Sequence, residues 1–248
     1  MVRLLVLCAF AFLFPLQAKL LVLIICSDEP PVYRELQKIW RSYMHLDPEH
    51  VEAYFIRGKA DLLDDFAIDG DVIWLKTAEC FCPGILNKTI LSMAAMLPRV
   101  KEFEYVLRTN LSSFYVFPRL LSVLKTFPKR QFYCGAPLLL FPGAPLLGSG
   151  SGFIVSSDLM ELIVAGKHQL LNQMPADDVV LGLFLIHYGV SLTPYSFFMF
   201  DSMGAWDKGK DQIPETIFQI RVKNVDRRRL SDDIAIHSKL LEKFYRSN

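Results

Sequence analysis

Residues 104–117 read EYVLRTNLSSFYVF. The apolar run 103–107 predicts a buried strand that stops at a polar turn, Arg108-Thr109-Asn110-Leu111-Ser112-Ser113. An α/β sheet delivers a strand end to a site in this way, because ligands bind beyond the carboxyl ends of its strands. Asn110 and Ser112 stand two residues apart, so in an extended turn both side chains reach one ligand. The same residues also fit a plain turn or an exposed Asn-x-Ser glycosylation sequon.

The flanking chain bears on that choice. Upstream, LLVLIIC at 20–26 predicts a central parallel strand, apolar throughout and ending abruptly at Ser27-Asp28. Acidic residues and Pro30-Pro31 then open a helix over 32–44, whose Leu36, Ile39, Trp40 and Tyr43 recur at helical spacing. Strands are expected at 51–56 and 72–75, joined by a polar, acidic connection at 61–70. A helix over 85–96 leads back to the opening stretch. Downstream, a helix at 117–124 and a strand at 132–135 precede an apolar loop or irregular hairpin rich in Pro and Gly at 137–145. Then comes Gly148-Ser149-Gly150-Ser151-Gly152, which lets backbone approach a ligand closely or serves as a flexible turn. No Gly-Lys-Ser/Thr follows, so it is not a phosphate P-loop.

After a strand at 153–155, Ser156-Ser157-Asp158 caps a helix to 164. Pro175-Ala176-Asp177-Asp178 opens another over 179–188. Two acids there act as a cap and dipole partner, or offer a general base. A short strand at 190–194, an aromatic loop at 197–209, a last strand at 217–222 and a helix at 232–245 complete the chain. Trp206 in the aromatic loop is available to stack on a sugar ring. Arg221, Lys223, Arg227, Arg228 and Arg229 form a local basic cluster. The alternation predicts a single-domain α/β fold, a Rossmann-like, mostly parallel sheet with helices on both faces.

Composition narrows the classes. With 248 residues, 52% of them hydrophobic, the chain can bury one large core. A net charge of +1 gives no footing for nucleic-acid binding. Five scattered cysteines make no disulfide framework, and beside Cys80 and Cys82 no second Cys or His pair stands at zinc-ligand spacing. Free thiols and one long-range disulfide to Cys134 both stay open. Residues 2–18 are nearly all apolar after Arg3, which fits a signal peptide cleaved near Ala18 or a short signal anchor. The domain then spans 19–248, in the secretory pathway as a Golgi or ER lumenal or secreted protein, or in the cytoplasm if the leader is only a buried element.

VLRTNLSSFYVF, GSGSGFIVSSDLMELI, PADDVVLG and IFQIRVKN, taken in order, resemble a GT-A glycosyltransferase of the β-1,3-galactosyltransferase and Fringe type. They are also similar to the small glycosyltransferase-like proteins of algae and large DNA viruses. The resemblance covers roughly residues 20–245. It implies transfer of a hexose from a nucleotide sugar, a UDP-sugar first, to a hydroxyl of a glycan, protein or lipid acceptor with inversion. In that family an Asp-x-Asp run holds Mn or Mg on the diphosphate. Asn110-Leu111-Ser112 stands at that place, and Gln219 stands where a late histidine often reaches the metal. Both departures weaken a metal cofactor, so Arg108, Arg221, Lys223 and the arginines after them are the expected stabilisers of the leaving diphosphate. The resemblance assigns Asp178 as base, with Asp177 second. It assigns Ser27 and Asp28 to the nucleoside, and Asn110, Ser112, Gly150, Ser151 and Gly152 to the nucleotide sugar. Two alternatives remain at this point: a catalytically silent sugar-nucleotide or glycan-binding module, and an unrelated secreted α/β protein.

Overall fold

A computed structural model describes residues 19–174, 176–224 and 228–246. The leader, Pro175 and Arg227 therefore lie outside the described residues. Strand β1 (Leu20–Ile25) is the middle of the molecule, with all six residues buried. It pairs in parallel with β2 (Val51–Gly58) on one side and β5 (Tyr105–Asn110) on the other. Beyond β2 come β4 (Val72–Leu75), parallel, and β3 (Phe66–Asp69), antiparallel at the edge. Beyond β5 come β8 (Leu147–Ser156), β7 (Tyr133–Leu138) and the short β9 (Thr193–Pro194).

The eight-stranded sheet is thus mixed. Its parallel pairings are β4-β2-β1-β5 and β7-β9, but β8 runs against both β5 and β7. The sheet is mostly parallel, as expected, and its exceptions are the edge strand β3 and the inner strand β8. Strands β7 and β8 form a hairpin, and a hairpin's two strands must oppose each other. The glycine run expected as a loop is the first half of β8. The acidic connection 61–70 likewise contains the edge strand β3.

Strand side chains alternate between the two faces. Leu20, Val22 and Ile24 enter one core with α1 (Val32–Arg41), α3 (Phe117–Leu124) and α8 (Ile234–Leu241). Leu21, Leu23 and Ile25 enter the other with α2 (Gly84–Met96), α4 (Ser157–Ala165) and α6 (Asp177–His187). Between α4 and α6 lies the single turn α5 (Lys167–Leu170). Helices cover both faces, as expected, and no described helix is long and apolar enough to cross a membrane.

A second sheet caps the first core, in the order β10 (Phe198–Phe200), β11 (Gln219–Val222), β6 (Ser113–Tyr115). The turn expected at 108–113 is shorter than read. β5 runs through Asn110, and β6 begins after two residues, because the Asn110 Oδ1 accepts the Ser112 N–H at 3.0 Å. The expected aromatic loop 197–209 holds β10 and α7 (Met203–Gly209), whose start is capped by Ser202 accepting from the Ala205 N–H.

Candidate active site

A cleft of about 570 Å³ opens where β1 and β5 end. Ser27 reaches it from β1, and Asn110 and Ser112 from the β5 end. Gly150 and Ser151 line it from β8, Asp177 and Asp178 from the start of α6, and Arg221 and Lys223 from β11. Arg108, deeper in β5, forms part of the wall. Two sheets and a helix thus bring together residues from five separate stretches of sequence.

Three expected residues are elsewhere. Trp206 is 4% exposed and packs on Phe200 with ring centroids 5.2 Å apart, so it belongs to the core and cannot stack on a sugar. Gly152 is buried under Tyr115; a Cβ there would lie 1.9 Å from the tyrosine hydroxyl. Asp28 turns away to Arg57, which donates to its two oxygens at 2.8 and 2.6 Å. Those hydrogen bonds hold its carboxyl below the usual range.

Arg108 and Asp177 form a buried ion pair at 2.6 Å. Thr89 on α2 donates to the same Asp177 oxygen at 2.9 Å. Burial raises the Asp177 carboxyl above its usual range, against the pull of the Arg108 guanidinium. Arg108 also donates to the Gly150 carbonyl. Its charge is therefore neutralised inside the wall, which counts against the expected role on a leaving group.

Asp178 is half-buried, in the first turn of α6. Its Oδ2 accepts the Gly150 N–H at 2.8 Å and its Oδ1 accepts the Val179 N–H at 3.0 Å. Each carboxylate oxygen keeps a further lone pair.

The Asp-x-Asp place is occupied by ties within the protein. Asn110 Nδ2 donates to the Gly150 carbonyl at 2.6 Å, and its Oδ1 is taken by Ser112. The Ser112 hydroxyl accepts from Arg229 at 2.9 Å. Gln219 is fully buried, donating to the Ser151 carbonyl at 3.1 Å and accepting from Tyr195 at 2.6 Å. Neutral, engaged donors ringed by arginine and lysine do not fit a divalent cation, which prefers open carboxylate oxygens.

Arg221 has no ion pair among the described residues, and burial together with the nearby Arg229 charge lowers its pKa. Lys223 is exposed at the same edge. Arg229 is tied to Asp233 at 2.9 Å and lies over the Tyr33 ring.

This architecture has solved counterparts. The fold is glycosyltransferase-like. A glycosyltransferase involved in the glycosylation of the major capsid of PBCV-1 matches with a TM-score of 0.51 and 8% identity, over 91% of this chain and 99% of that one. At that identity the likeness speaks for the fold. No family model and no curated protein sequence matches the chain.

Several cleft residues of this glycosyltransferase-like fold escaped the sequence reading. Lys88 on α2 is 2% exposed, donates to the Cys26 carbonyl at 2.9 Å and pairs with Glu79. Beside it, Asn87 donates to Asn172 at 2.9 Å, so its side chain has an internal role. The signal was present: Asn87-Lys88-Thr89 interrupts an otherwise apolar helix, and buried polar groups need partners. Cys26, Cys80 and Cys82 also line the cleft, and the four described cysteines are free thiols.

Proposed function

We propose that the cleft takes a nucleotide sugar, a UDP-sugar in the first instance, and passes its hexose to an acceptor hydroxyl with inversion. The observation that carries this is the shared position of a half-buried carboxylate, Asp178, and a guanidinium with no ion pair among the described residues, Arg221, at the carboxyl ends of β1 and β5. In this reading Asp178 removes the acceptor proton as the acceptor oxygen attacks the anomeric carbon from the side opposite the diphosphate. The bond from that carbon to the diphosphate oxygen breaks, and the electron pair leaves with the nucleoside diphosphate. Arg221 and Lys223 neutralise the charge that appears there. Asp177 is the weaker candidate for the base, since Arg108 and Thr89 engage it. The chemistry runs without a divalent ion, because Asn110 and Ser112 offer none of the open oxygens it needs. Glycan, protein and lipid hydroxyls all remain candidate acceptors. With residues 2–18 as a leader or anchor, the work takes place in the secretory pathway.

One observation favours a second reading, a binding module that no longer transfers. Both Asp178 oxygens already accept backbone N–H groups, so part of the carboxylate's accepting capacity is spent on the fold and not on an acceptor hydroxyl.

The deciding experiment offers a panel of nucleotide sugars to the full chain in EDTA and in Mn, following melting temperature and released nucleotide. Transfer expects a Tm rise and turnover with one donor in EDTA, and a product of inverted anomeric configuration by NMR. A Tm rise without turnover or hydrolysis supports the module. A strict Mn requirement sinks the metal-free reading.

A further inference from the structure

Gly150 has both sides of its backbone in use, and the partners form a closed ring. Its N–H donates to Asp178 Oδ2 at 2.8 Å. Its carbonyl accepts from Asn110 Nδ2 at 2.6 Å and from Arg108. Arg108 is held in turn by Asp177 at 2.6 Å, with Thr89 alongside. The ring leaves α6 at Asp177 and returns to it at Asp178, one residue later. A Cβ on Gly150 would lie 3.0 Å from Asp178 Oδ2, so the backbone approaches the carboxylate as closely as it can only because no side chain intervenes. Arg108 is 2% and Asp177 3% exposed, so neither charge is well placed to meet a ligand in solvent.

We propose that Asn110, Arg108 and Asp177 are positioning residues, whose shared task is to fix the Gly150 peptide and through it the direction of the Asp178 carboxylate. This rests on Asp178 being the base. It changes what Asn110 is for. At the place where the resembled family holds a metal, this chain holds its own backbone. A catalytic carboxylate must be kept within a fraction of an ångström of its productive direction, and neighbouring hydrogen bonds supply that constraint. A buried ion pair with a bonded hydroxyl suits the task, because it cannot relax without exposing an uncompensated charge.

The test uses the full chain with Asn110→Ala, Asn110→Asp and Asp177→Asn, read two ways. Hydrogen exchange at the Gly150 amide, followed by NMR, reports the ring without reference to activity. Exchange about tenfold faster in Asn110→Ala and Asp177→Asn is the expected result, since the first removes a bond to that peptide and the second frees the Arg108 that makes another. Turnover then falls about tenfold or more while donor KM stays within about twofold, the pattern of a lost orienting interaction. Asn110→Asp keeps the acceptor for Ser112 but loses the donor to Gly150, so it resembles Asn110→Ala. Unchanged Gly150 exchange overturns the proposal. So does a large rise in donor KM with kcat retained, which makes Asn110 a ligand contact, and so does Mn-stimulated turnover in Asn110→Asp. Should Asp177→Asn fail to fold, Asn110→Ala, which leaves the ion pair intact, decides alone. If the native chain transfers no sugar, the function reading fails, and the exchange result still settles the ring.

Discussion

The two ends of the parallel strands treat charge in opposite ways. At the amino ends, Glu52 on β2 accepts from Arg99 at 2.6 Å and from Lys19 at 2.5 Å, and Arg99 holds Glu102 as well. At the carboxyl ends, Arg108 and Asp177 are paired deep in the wall, but Arg221 and Lys223 face the cleft with no ion pair among the described residues. A saturated network stabilises and leaves nothing for a ligand. An unpaired cation kept half-buried costs folding free energy that an arriving anion recovers. The contrast marks the carboxyl edge as the working edge and the amino edge as the structural one.

The strongest way to break that contrast is Asp178→Asn. If the base sits at the carboxyl edge, turnover falls about 10²–10⁴-fold with the fold intact; a loss below threefold removes Asp178 from the chemistry. Next comes Asp177→Ala, which strands the buried Arg108 charge and lowers stability by about 3–5 kcal/mol in urea unfolding. Arg221→Ala sharpens the distinction between paired and unpaired cations. It weakens donor binding about tenfold or more, the loss of one charge-assisted contact, and leaves the melting temperature level or raised. A drop in Tm without a change in donor binding would place Arg221 with the structural charges.

The smallest effect belongs to the amino edge. Burial opposes ionisation of Glu52, but hydrogen bonds from Arg99, Lys19 and Tyr54 outweigh it and pull the group down to about 2. A depressed carboxyl contributes stability that is fully present above its unfolded value and is lost as pH falls through the folded one. Glu52→Gln should therefore cost about 1 kcal/mol at neutral pH after allowance for solvent screening. That cost should shrink progressively below about pH 4.5. It leaves donor binding unchanged, and a change in donor affinity would erase the distinction between the edges.

Much of this plan was readable in the letters. Helix 117–124 and strand 72–75 match the structure because local signals and tertiary demand agree there: Pro118 in a first helical turn, and a branched apolar run bounded by turn residues. That Asn110, Gly150 and Asp178 share one site was implied by the resemblance, and the structure brings the three together at one cleft. What failed were features set by partners distant in sequence. Gly148 to Gly152 read as a loop because glycine disfavours strands, yet Tyr133, Asp178 and Tyr115 occupy the space its side chains would take. Trp206 reads as available to a ligand because its stretch looks like an aromatic loop, while the Phe200 ring that buries it sits in a strand, β10, within that stretch. Lys88 was passed over because a lysine in a helix is usually solvated, and the carbonyl it reaches lies 62 residues away.

Strand β1 is apolar on both sides, and its six residues are 0–6% exposed. A strand of that composition tolerates either face, so its own letters do not say which residue belongs to which core. The polar ties at its two ends supply the missing information. The Lys19 amine is moored to Glu52 at one end, and the Lys88 amine takes the Cys26 carbonyl at the other. Two lysines thus serve as phase markers for a strand that would otherwise be ambiguous by one residue, and a slip of one would exchange the two cores while unhooking both markers.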